Sequence, residues 1–317
     1  MSVWGLVDDR TGHTGQVLGV IAKLGLPYVL KRLEYNHLVI LPNSLIGASL
    51  ATLDKKHSAP VAPPWPKLVV ASGRRTLPVL RYIKQQSPST ITVYLMWPGR
   101  HADIDLIAAP AHDKPPEAQN VITTLAPLHA VTPEALTVAA EAWAPQFAHL
   151  PRPWVALVLG GDTKQGKYSP ADWRELIRHA AGLAGHGSLL ITTSRRTPPE
   201  AIALFGPLLT TPHLLHRWDT DKDNPYLGLL GCADGIIVTG DSLSMCTEAC
   251  VSGKPVYIFA NPTVAPAKHR TLHAELYKRG MARSLDVNAT LDWAHTPPLD
   301  DAALVAAEIR KRFPQVA

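Results

Sequence analysis

The sequence alternates short apolar runs with segments that carry helix-start signals. Four segments place a capping side chain directly before a proline, as in Thr132-Pro133 and Ser169-Pro170, and the fixed φ angle of proline suits the first position of a helix. Strands that are apolar on both faces and separated by helices are typical of parallel sheets covered on both sides. The alternation therefore predicts an α/β chain of doubly wound, Rossmann-like sheets.

The predicted strands fall into two series. They lie near residues 2–7, 28–33, 67–72, 90–97 and 104–109, and near residues 154–159, 188–193, 214–218, 235–239 and 256–259, with early helices after Gly15, Leu38 and Thr76. A proline-rich link at residues 150–153 separates the series, so we predict an N-terminal Rossmann-like domain over residues 1–150 and a C-terminal one over residues 151–299. Residues 300–317 predict a closing amphipathic helix. We expect the carboxyl ends of both sheets to face a shared cleft, where ligands of such sheets bind.

Composition excludes several classes of protein. Hydrophobic residues make up 46% and charged residues 18% of the 317 residues, which is typical of a globular protein. No apolar run approaches the ~18 residues of a membrane span, and Asp8 and Asp9 argue against a signal peptide, so we expect a cytoplasmic protein. Cys232, Cys246 and Cys250 fit neither a disulfide framework nor a zinc site.

The net charge of +5 suits phosphate-bearing ligands or an anionic membrane surface. The basic residues form no run interleaved with aromatic residues, which is what a nucleic-acid interface would require. We therefore expect no nucleic-acid partner.

The first predicted strand runs into a polar turn that contains glycine. Gly12, His13, Gly15 and Gln16 stand where a helix begins, so backbone amides can approach a ligand there, and an imidazole can accept a proton near neutral pH. The spacing differs from the dinucleotide fingerprint Gly-x-Gly-x-x-Gly, which argues against a dehydrogenase. A plain strand-to-helix turn is the alternative interpretation.

A second glycine turn follows the first strand of the second series. Residues 161–168 nearly match a P-loop, but Tyr168 stands where the hydroxyl that binds Mg²⁺ would be. We therefore interpret Gly160 and Gly161 as a turn that contacts a diphosphate without NTPase machinery.

Three polar residues follow the next strand. Ser194, Arg195 and Arg196 place a hydroxyl and two guanidinium groups at the same edge of the sheet, and guanidinium groups bind phosphate through two hydrogen bonds. A solvated loop is the alternative interpretation of these residues.

The densest polar cluster follows the fourth strand of the second series. Gly240 ends the strand, and Asp241-Ser242 or Ser244 caps a short helix whose free amides suit phosphate oxygens. Glu248 lies about one turn into that helix, where a carboxylate can accept both hydroxyls of a ribose. An exposed helical glutamate is the alternative.

Six segments carry a resemblance to a known family, and they are spread over nearly the whole chain: residues 9–16, 72–75, 105–113, 120–124, 159–161 and 239–248. Together they resemble glycosyltransferases of the GT-B fold. The resemblance is closer to the plant mitochondrial fission proteins of the elongated-mitochondria (ELM) type and their bacterial relatives.

The resemblance implies a C-terminal domain that binds the nucleotide part of a donor, an N-terminal domain that binds an acceptor, and a final helix that crosses back to the N-terminal domain. The implied donor-binding residues are Gly160, Gly161, Ser194, Arg195, Arg196, Gly240, Asp241, Ser242, Leu243, Ser244 and Glu248. The implied acceptor-side residues are Gly12, Gln16, Ser72, Gly73 and Arg74. His13 is the first candidate for the general base and Asp113 the second.

These features together predict a metal-independent glycosyltransferase that needs no cofactor. Its donor would be a nucleoside-diphosphate sugar, its acceptor an envelope or lipid-linked saccharide, and it would make a peripheral contact with the inner membrane face. The alternative is a non-catalytic recruitment or morphology factor with the same fold, since a fold does not determine a function.

Overall fold

The computed structural model describes residues 3–100, 102–218, 223–293 and 300–316. The chain divides into two compact units. Unit 1 comprises Met1–Ala130 and Leu299–Ala317, and unit 2 comprises Val131–Pro298. Each unit contains a six-stranded sheet in which all neighbouring strands are parallel.

Unit 1 has the strand order β2-β1-β3-β4-β5-β6. Its strands are β1 (Val3–Val7), β2 (Tyr28–Arg32), β3 (Leu68–Ala71), β4 (Ile91–Tyr94), β5 (Leu106–Pro110) and β6 (Val121–Thr124). Its helices are α1 (Thr11–Leu24), α2 (Asn43–Ile46), α3 (Leu77–Gln86) and α10 (Asp301–Arg312), with 3-10 helices at His37–Ile40, Ala111–Asp113 and Pro314–Val316. The central strands are fully buried, as apolar strands covered on both faces should be.

Unit 2 has the strand order β12-β11-β10-β7-β8-β9. Its strands are β7 (Trp154–Val158), β8 (Ser188–Thr192), β9 (His213–His216), β10 (Gly235–Thr239), β11 (Val256–Phe259) and β12 (Arg283–Ser284). Its helices are α4 (Pro133–Phe147), α5 (Pro170–Ala184), α6 (Pro199–Leu208), α7 (Tyr226–Cys232), α8 (Leu243–Cys250) and α9 (Ala267–Lys278). The prediction of two Rossmann-like α/β domains is confirmed.

Two of the four helix starts predicted from a capping side chain before a proline are confirmed, those of α4 and α5, whereas α6 and α7 begin one residue after Pro198 and Pro225 without a side-chain cap. Thr132 accepts a hydrogen bond from the Ala135 N–H at the start of α4. Ser169 and Asp172 form a capping box at the start of α5. The helix expected after Leu38 is instead divided into a 3-10 turn and the four-residue α2, with Pro42 between them. Proline has no N–H with which to continue a helix.

The boundary between the units differs from the predicted boundary at residues 150 and 151, because α4 belongs to unit 2. The Trp143 ring of α4 stacks on Phe147, and Phe147 meets Trp154 of β7 edge-on at 5.9 Å. A side chain at Gly228 of α7 would collide with Trp143, so the two helices are in close contact. Residue 2 of the first predicted strand and residue 317 of the last segment lie outside the described residues.

The last helix, α10, packs against α1 within unit 1. Val305 and Ile309 of α10 are buried in one cluster with Val17 and Ile21 of α1. The Arg310 guanidinium donates hydrogen bonds to the carbonyls of Lys23 and Leu24 at 2.7 and 3.0 Å. The last carbonyls of a helix have no partner within the helix, so Arg310 completes the end of α1.

Among the described helices, none is long and apolar enough to cross a membrane.

We predict that Ile309→Ala lowers the free energy of unfolding by about 3 kcal/mol, because Ile309 is fully buried and its removal leaves a cavity. Leu304→Ala on the same helix is the matched control, since Leu304 is 46% exposed, and we expect it to cost less than about 0.5 kcal/mol. Urea denaturation measures both variants. Equal losses for the two would contradict the packing of α10 on α1.

Candidate functional site

Three loops meet at one edge of the unit 2 sheet. Strands β10, β7 and β8 are adjacent and parallel, so the loops that follow them lie side by side. The loop after β7 contains Gly160 and Gly161, the loop after β8 contains residues 194–196, and the loop after β10 contains residues 240–242. The structure therefore brings together the loops that the sequence analysis assigned to the donor.

The Asp241 carboxylate joins these loops. Its side chain has no exposed surface and forms an ion pair with Arg196 at 2.6 Å. The Gly161 N–H and the Tyr168 hydroxyl also donate to it, at 3.0 and 3.4 Å. Burial raises the pKa of Tyr168 and the neighbouring charge of Asp241 adds to the effect, so the phenol remains a donor. The positive charge of Arg196 is thus balanced within the protein.

The two glycines of the first loop are required by contacts inside the protein. A Cβ at Gly160 would lie 2.1 Å from an Asp241 oxygen. Gly161 has a φ of 156°, and a Cβ there would lie 2.0 Å from the Arg196 carbonyl oxygen. The Ser194 hydroxyl donates to the Gly160 carbonyl at 2.9 Å. Ser194 therefore connects the second loop to the first.

Helix α8 begins directly after the third loop. The Ser242 side chain caps it by accepting from the Met245 N–H at 3.4 Å, whereas Asp241 faces the loop after β7. Ser242 is therefore the cap among the predicted candidates. The N–H groups at the first positions of a helix, here Leu243 and Ser244, have no acceptor within the helix and favour an anion.

Glu248 lies farther along α8 and is held by Tyr226, the first residue of α7. The Tyr226 hydroxyl donates to a Glu248 oxygen at 2.6 Å. Burial raises the pKa of Glu248 to about 7, and the hydrogen bond from Tyr226 only partly opposes this effect. Glu248 is thus partly buried and positioned rather than free in solvent, and close to neutral pH its carboxyl group exists in both protonation states.

Four residues near this edge were missed by the sequence analysis: Tyr226, Trp218, His269 and His273. Trp218 follows β9 and is 40% exposed. The Arg195 guanidinium lies 5.9 Å from the centre of its ring. The signal for this contact was an aromatic residue at the end of the predicted strand 214–218.

The two histidines lie four residues apart on α9, on one helix face, and both approach Gly240. His269 Nδ1 lies 3.4 Å from the Gly240 carbonyl oxygen. A Cβ at Gly240 would lie 2.7 Å from the His273 ring. Burial lowers the pKa of His273 to about 4, and the nearby His269 lowers it further, so His273 is a neutral packing residue at physiological pH. Their spacing of four was the available signal.

In unit 1, His13 forms a pair with Asp8. His13 Nδ1 lies 3.5 Å from a carboxylate oxygen of Asp8, whose side chain is fully buried at the end of β1. Burial acts to raise the pKa of Asp8, but the hydrogen bonds from His13 and from the Arg10 N–H outweigh it, so this pKa is lowered. The sequence analysis named His13 as a site residue but did not assign Asp8 to the site, although the two residues are only five positions apart.

The other acceptor-side residues surround this pair or support the loop beside it. Gly73 has a φ of 92°, and a Cβ there would lie 2.4 Å from His13 Nδ1. The Ser72 hydroxyl donates to Gln16 Oε1 at 2.6 Å. Gly12 is exposed in the first turn of α1, beside His13. Ser72, Gly73, Gln16 and Gly12 are therefore neighbours of His13.

Arg74 and Asp113 are engaged elsewhere in unit 1. The Arg74 guanidinium donates to the carbonyls of Val39 and Leu41, at 2.8 Å for Leu41. Asp113 lies 3.8 Å from His112 in the 3-10 helix after β5. Since β5 is three strands from β1 in the sheet, the ends of these strands are roughly 14 Å apart. The structure therefore does not place Asp113 beside His13.

Within the part of the chain that the structure describes, no three His, Cys, Asp or Glu side chains come together as a metal site requires. Metal-independent chemistry remains a prediction.

Two Rossmann-like domains with these loops at their strand ends define a protein of the GT-B fold class. The chain belongs to the mitochondrial fission ELM1 family, whose model matches residues 11–313.

Two relatives show how the family varies. The mitochondrial fission protein ELM1 of Arabidopsis thaliana is 30% identical over 276 residues, which are 78% of this chain and 64% of that protein. This chain thus spans less than two thirds of the length of the plant protein. The uncharacterized protein RP120 of Rickettsia prowazekii is 27% identical, and the match covers 98% of each chain.

Solved structures share the fold at low sequence identity. A UDP-GlcNAc 2-epimerase from Neisseria meningitidis, bound to UDP-GlcNAc, has a TM-score of 0.53 and 13% identity, covering 99% of this chain and 92% of the epimerase. The glycosyltransferase SnogD from Streptomyces nogalater has a TM-score of 0.52 and 15% identity, covering 97% of this chain and 94% of SnogD. These similarities establish the fold.

We predict that Glu248→Gln makes the protein more stable above pH 7 but not below pH 4.5. The raised pKa means that the folded state favours the protonated carboxyl of Glu248. The contribution of Glu248 to the free energy of unfolding is therefore full below its ordinary pKa of 4.5 and is lost as the pH rises to about 7. Glutamine does not titrate and still accepts from Tyr226. The expected gain at pH 8 is on the order of 2 kcal/mol, measured by urea unfolding across pH.

Glu275→Gln is the control for this measurement, because Glu275 is on the surface beside Arg279 and its pKa is lowered. This variant should show no gain at pH 8. A Glu248→Gln variant that follows the wild-type pH profile would contradict the raised pKa.

Proposed function

We propose that unit 2 binds the nucleotide part of a nucleoside-diphosphate sugar and that the protein is a glycosyltransferase in the cytoplasm. The observation that carries the proposal is Glu248, which Tyr226 holds on α8, the helix that begins at the three joined loops. This arrangement supports one ligand with a diol at one end and phosphates at the other.

The dimensions of α8 match such a ligand. Ser244 and Glu248 are four residues apart and share one face of the helix. From Leu243 to Glu248 the helix rises about 7.5 Å, at 1.5 Å per residue. A diphosphate at the first amides would therefore leave a ribose within reach of the Glu248 carboxylate. The epimerase that shares the fold was crystallised with UDP-GlcNAc, a ligand with these two ends.

Charge on the diphosphate would be met by the α8 amides and by Arg195. Arg195 lies over Trp218, whereas the guanidinium of Arg196 is paired with Asp241. We therefore assign direct phosphate contact to Arg195 and a supporting role to Arg196 and Asp241. Trp218, with its exposed ring, offers a flat surface on which a nucleobase can stack.

His13 is the proposed general base for the acceptor hydroxyl, with Asp113 as the second candidate. The contact between Asp8 and Nδ1 leaves Nε2 of His13 as the atom that accepts the proton. The deprotonated oxygen then bonds to the anomeric carbon, and the bond from that carbon to the diphosphate oxygen breaks. The buried Asp8 carboxylate stabilises the imidazolium that forms.

A second function is favoured by the family itself. The Arabidopsis relative is a mitochondrial fission protein, and a chain that keeps the fold can recruit other proteins without transferring a sugar. The two functions differ in whether bound nucleotide sugar is consumed.

We expect UDP or GDP and their sugars to raise the melting temperature of the wild-type protein, and Glu248→Ala to abolish this shift. A ligand at a concentration of 100 Kd stabilises the folded state by about 2.7 kcal/mol, which a thermal shift detects. Glu275→Ala is the control, because Glu275 is on the surface of α9 and pairs with Arg279 on the same helix. If folded wild-type protein shows no shift with any nucleotide, the donor site is refuted.

We expect Asp8→Asn and His13→Gln each to reduce UDP release from UDP-GlcNAc, in the presence of a bacterial envelope lipid extract, by about 10² to 10⁴-fold. Both variants should keep the nucleotide-induced thermal shift, because they lie in unit 1 and the donor residues lie in unit 2. Unchanged turnover in His13→Gln, together with lost turnover in Asp113→Asn, would transfer the role of base to Asp113. Nucleotide binding with no turnover would favour the recruitment factor.

A further inference from the structure

An uncharged, apolar segment projects from unit 1. Between Asn36 and Leu53 the sequence contains no Asp, Glu, Lys or Arg. Within it, Ile40 is 79% exposed, Leu45 is 74% exposed and Leu41 is 39% exposed. We call residues 37–46, which comprise the 3-10 helix and α2, the apolar tip. Exposed leucine and isoleucine side chains that occur together within a short segment are typical of an interaction surface.

Several polar backbone groups of the apolar tip are paired within the protein. The N–H groups of Val39, Leu41 and Leu45 donate to the carbonyls of Asn36, Leu38 and Pro42 at 3.0 to 3.2 Å. The Arg74 guanidinium covers the carbonyls of Val39 and Leu41. A backbone paired in this way can leave water without the cost of unsatisfied hydrogen-bonding groups.

Basic side chains lie directly behind the tip. A pocket of about 950 Å³ is lined on one side by Asn43 and Ser44 of α2 and on the other by Arg81, Lys84 and Arg100. Two carboxylates balance part of this charge: Asp103, which also lines the pocket, pairs with Arg81, and Asp105 pairs with Lys84 at 2.8 Å. The excess positive charge of this region therefore comes from Arg100 of the lining and from the adjacent Arg74, whose guanidinium donates to the neutral carbonyls of Val39 and Leu41.

We propose that the apolar tip docks on an anionic phospholipid bilayer, with Ile40, Leu41 and Leu45 entering the interface and the basic pocket receiving a headgroup phosphate. Apolar side chains next to basic ones are the combination that binds such a surface. Three side chains are too few for a stable protein interface, which needs about 800 Å² from each partner. The docking does not depend on the proposed nucleotide site.

Vesicle sedimentation tests whether the apolar tip binds an anionic bilayer. The wild-type protein should bind vesicles that contain phosphatidylglycerol, should bind phosphatidylcholine vesicles at least tenfold more weakly, and should lose binding as salt increases. The double variant Ile40→Ser, Leu45→Ser should bind phosphatidylglycerol vesicles more than tenfold more weakly. The matched control is Val138→Ser, Val287→Ser in unit 2, where the exposures are 67% and 72%, and it should bind like the wild type.

The charge is tested by Arg100→Glu, which should weaken binding about tenfold. Arg174→Glu, on an exposed position of α5 in unit 2, is its control and should have little effect. At matched ionic strength, inorganic phosphate should release no more protein from the vesicles than sodium chloride does.

A fluorescent label tests insertion directly. The three native cysteines are buried, so Leu45→Cys provides a single reactive thiol for an environment-sensitive dye. The dye should shift to shorter wavelength on phosphatidylglycerol vesicles, and the same dye at Val287→Cys should not. The proposal is overturned if the wild type does not bind these vesicles, if the tip variant binds equally well, or if the tip variant instead converts a dimer into a monomer in analytical ultracentrifugation.

Discussion

The buried carboxylate of Asp241 is the group on which the carboxyl edge of unit 2 depends. It belongs to the loop after β10, but it accepts a hydrogen bond from the loop after β7 and an ion pair from the loop after β8. A buried charge is tolerated only where it is paired, so these three loops can reach their positions only together. Helix α8 begins two residues after Asp241, so the position of this loop also determines the direction in which α8 starts.

Two carboxylates in unit 2 have different roles because their surroundings differ. Asp241 is surrounded by protein donors and has a structural role, whereas Glu248 receives one phenolic hydrogen bond from Tyr226 and has a pKa of about 7. Burial removes the water molecules that would donate hydrogen bonds to an ionised Glu248. The hydroxyl groups of a ribose would replace those donors. Binding of a diol and ionisation of Glu248 are therefore linked, since each favours the other.

The two units contribute different chemistry. Unit 2 offers helix amides, an arginine beside an exposed indole, and a poised carboxylate, while unit 1 contains the Asp8–His13 pair and the apolar tip. The proposed docking of the apolar tip on a membrane would suit both functions proposed for this protein. A transferase needs access to a lipid-linked acceptor, and a fission factor needs a place on a membrane.

Local signals in the sequence determined most of the strands, the capped starts of α4 and α5, and the glycine turn after β7, because each depends on residues only a few positions apart. The first predicted glycine turn is instead helical, since α1 begins at Thr11 and contains both Gly12 and Gly15. The short edge strands β6 and β12 were not predicted, since their pairing comes from a neighbouring strand rather than from their own few residues. The first domain boundary was placed too late because α4 joins unit 2 through Trp143 and Phe147, contacts that its own amphipathic pattern does not reveal.

The candidate site could likewise be predicted only in part from the sequence. His13, Glu248 and the polar loops were visible as residue types at strand ends, but Asp8 behind His13, Tyr226 on Glu248 and Arg196 on Asp241 are pairings that tertiary packing decides. Tyr226 and Glu248 are 22 residues apart in sequence. The sequence by itself determined which groups this protein has at the ends of its strands. The tertiary structure decided which of those groups neutralise one another and which remain available to a ligand, because burial and pairing depend on distances across the fold.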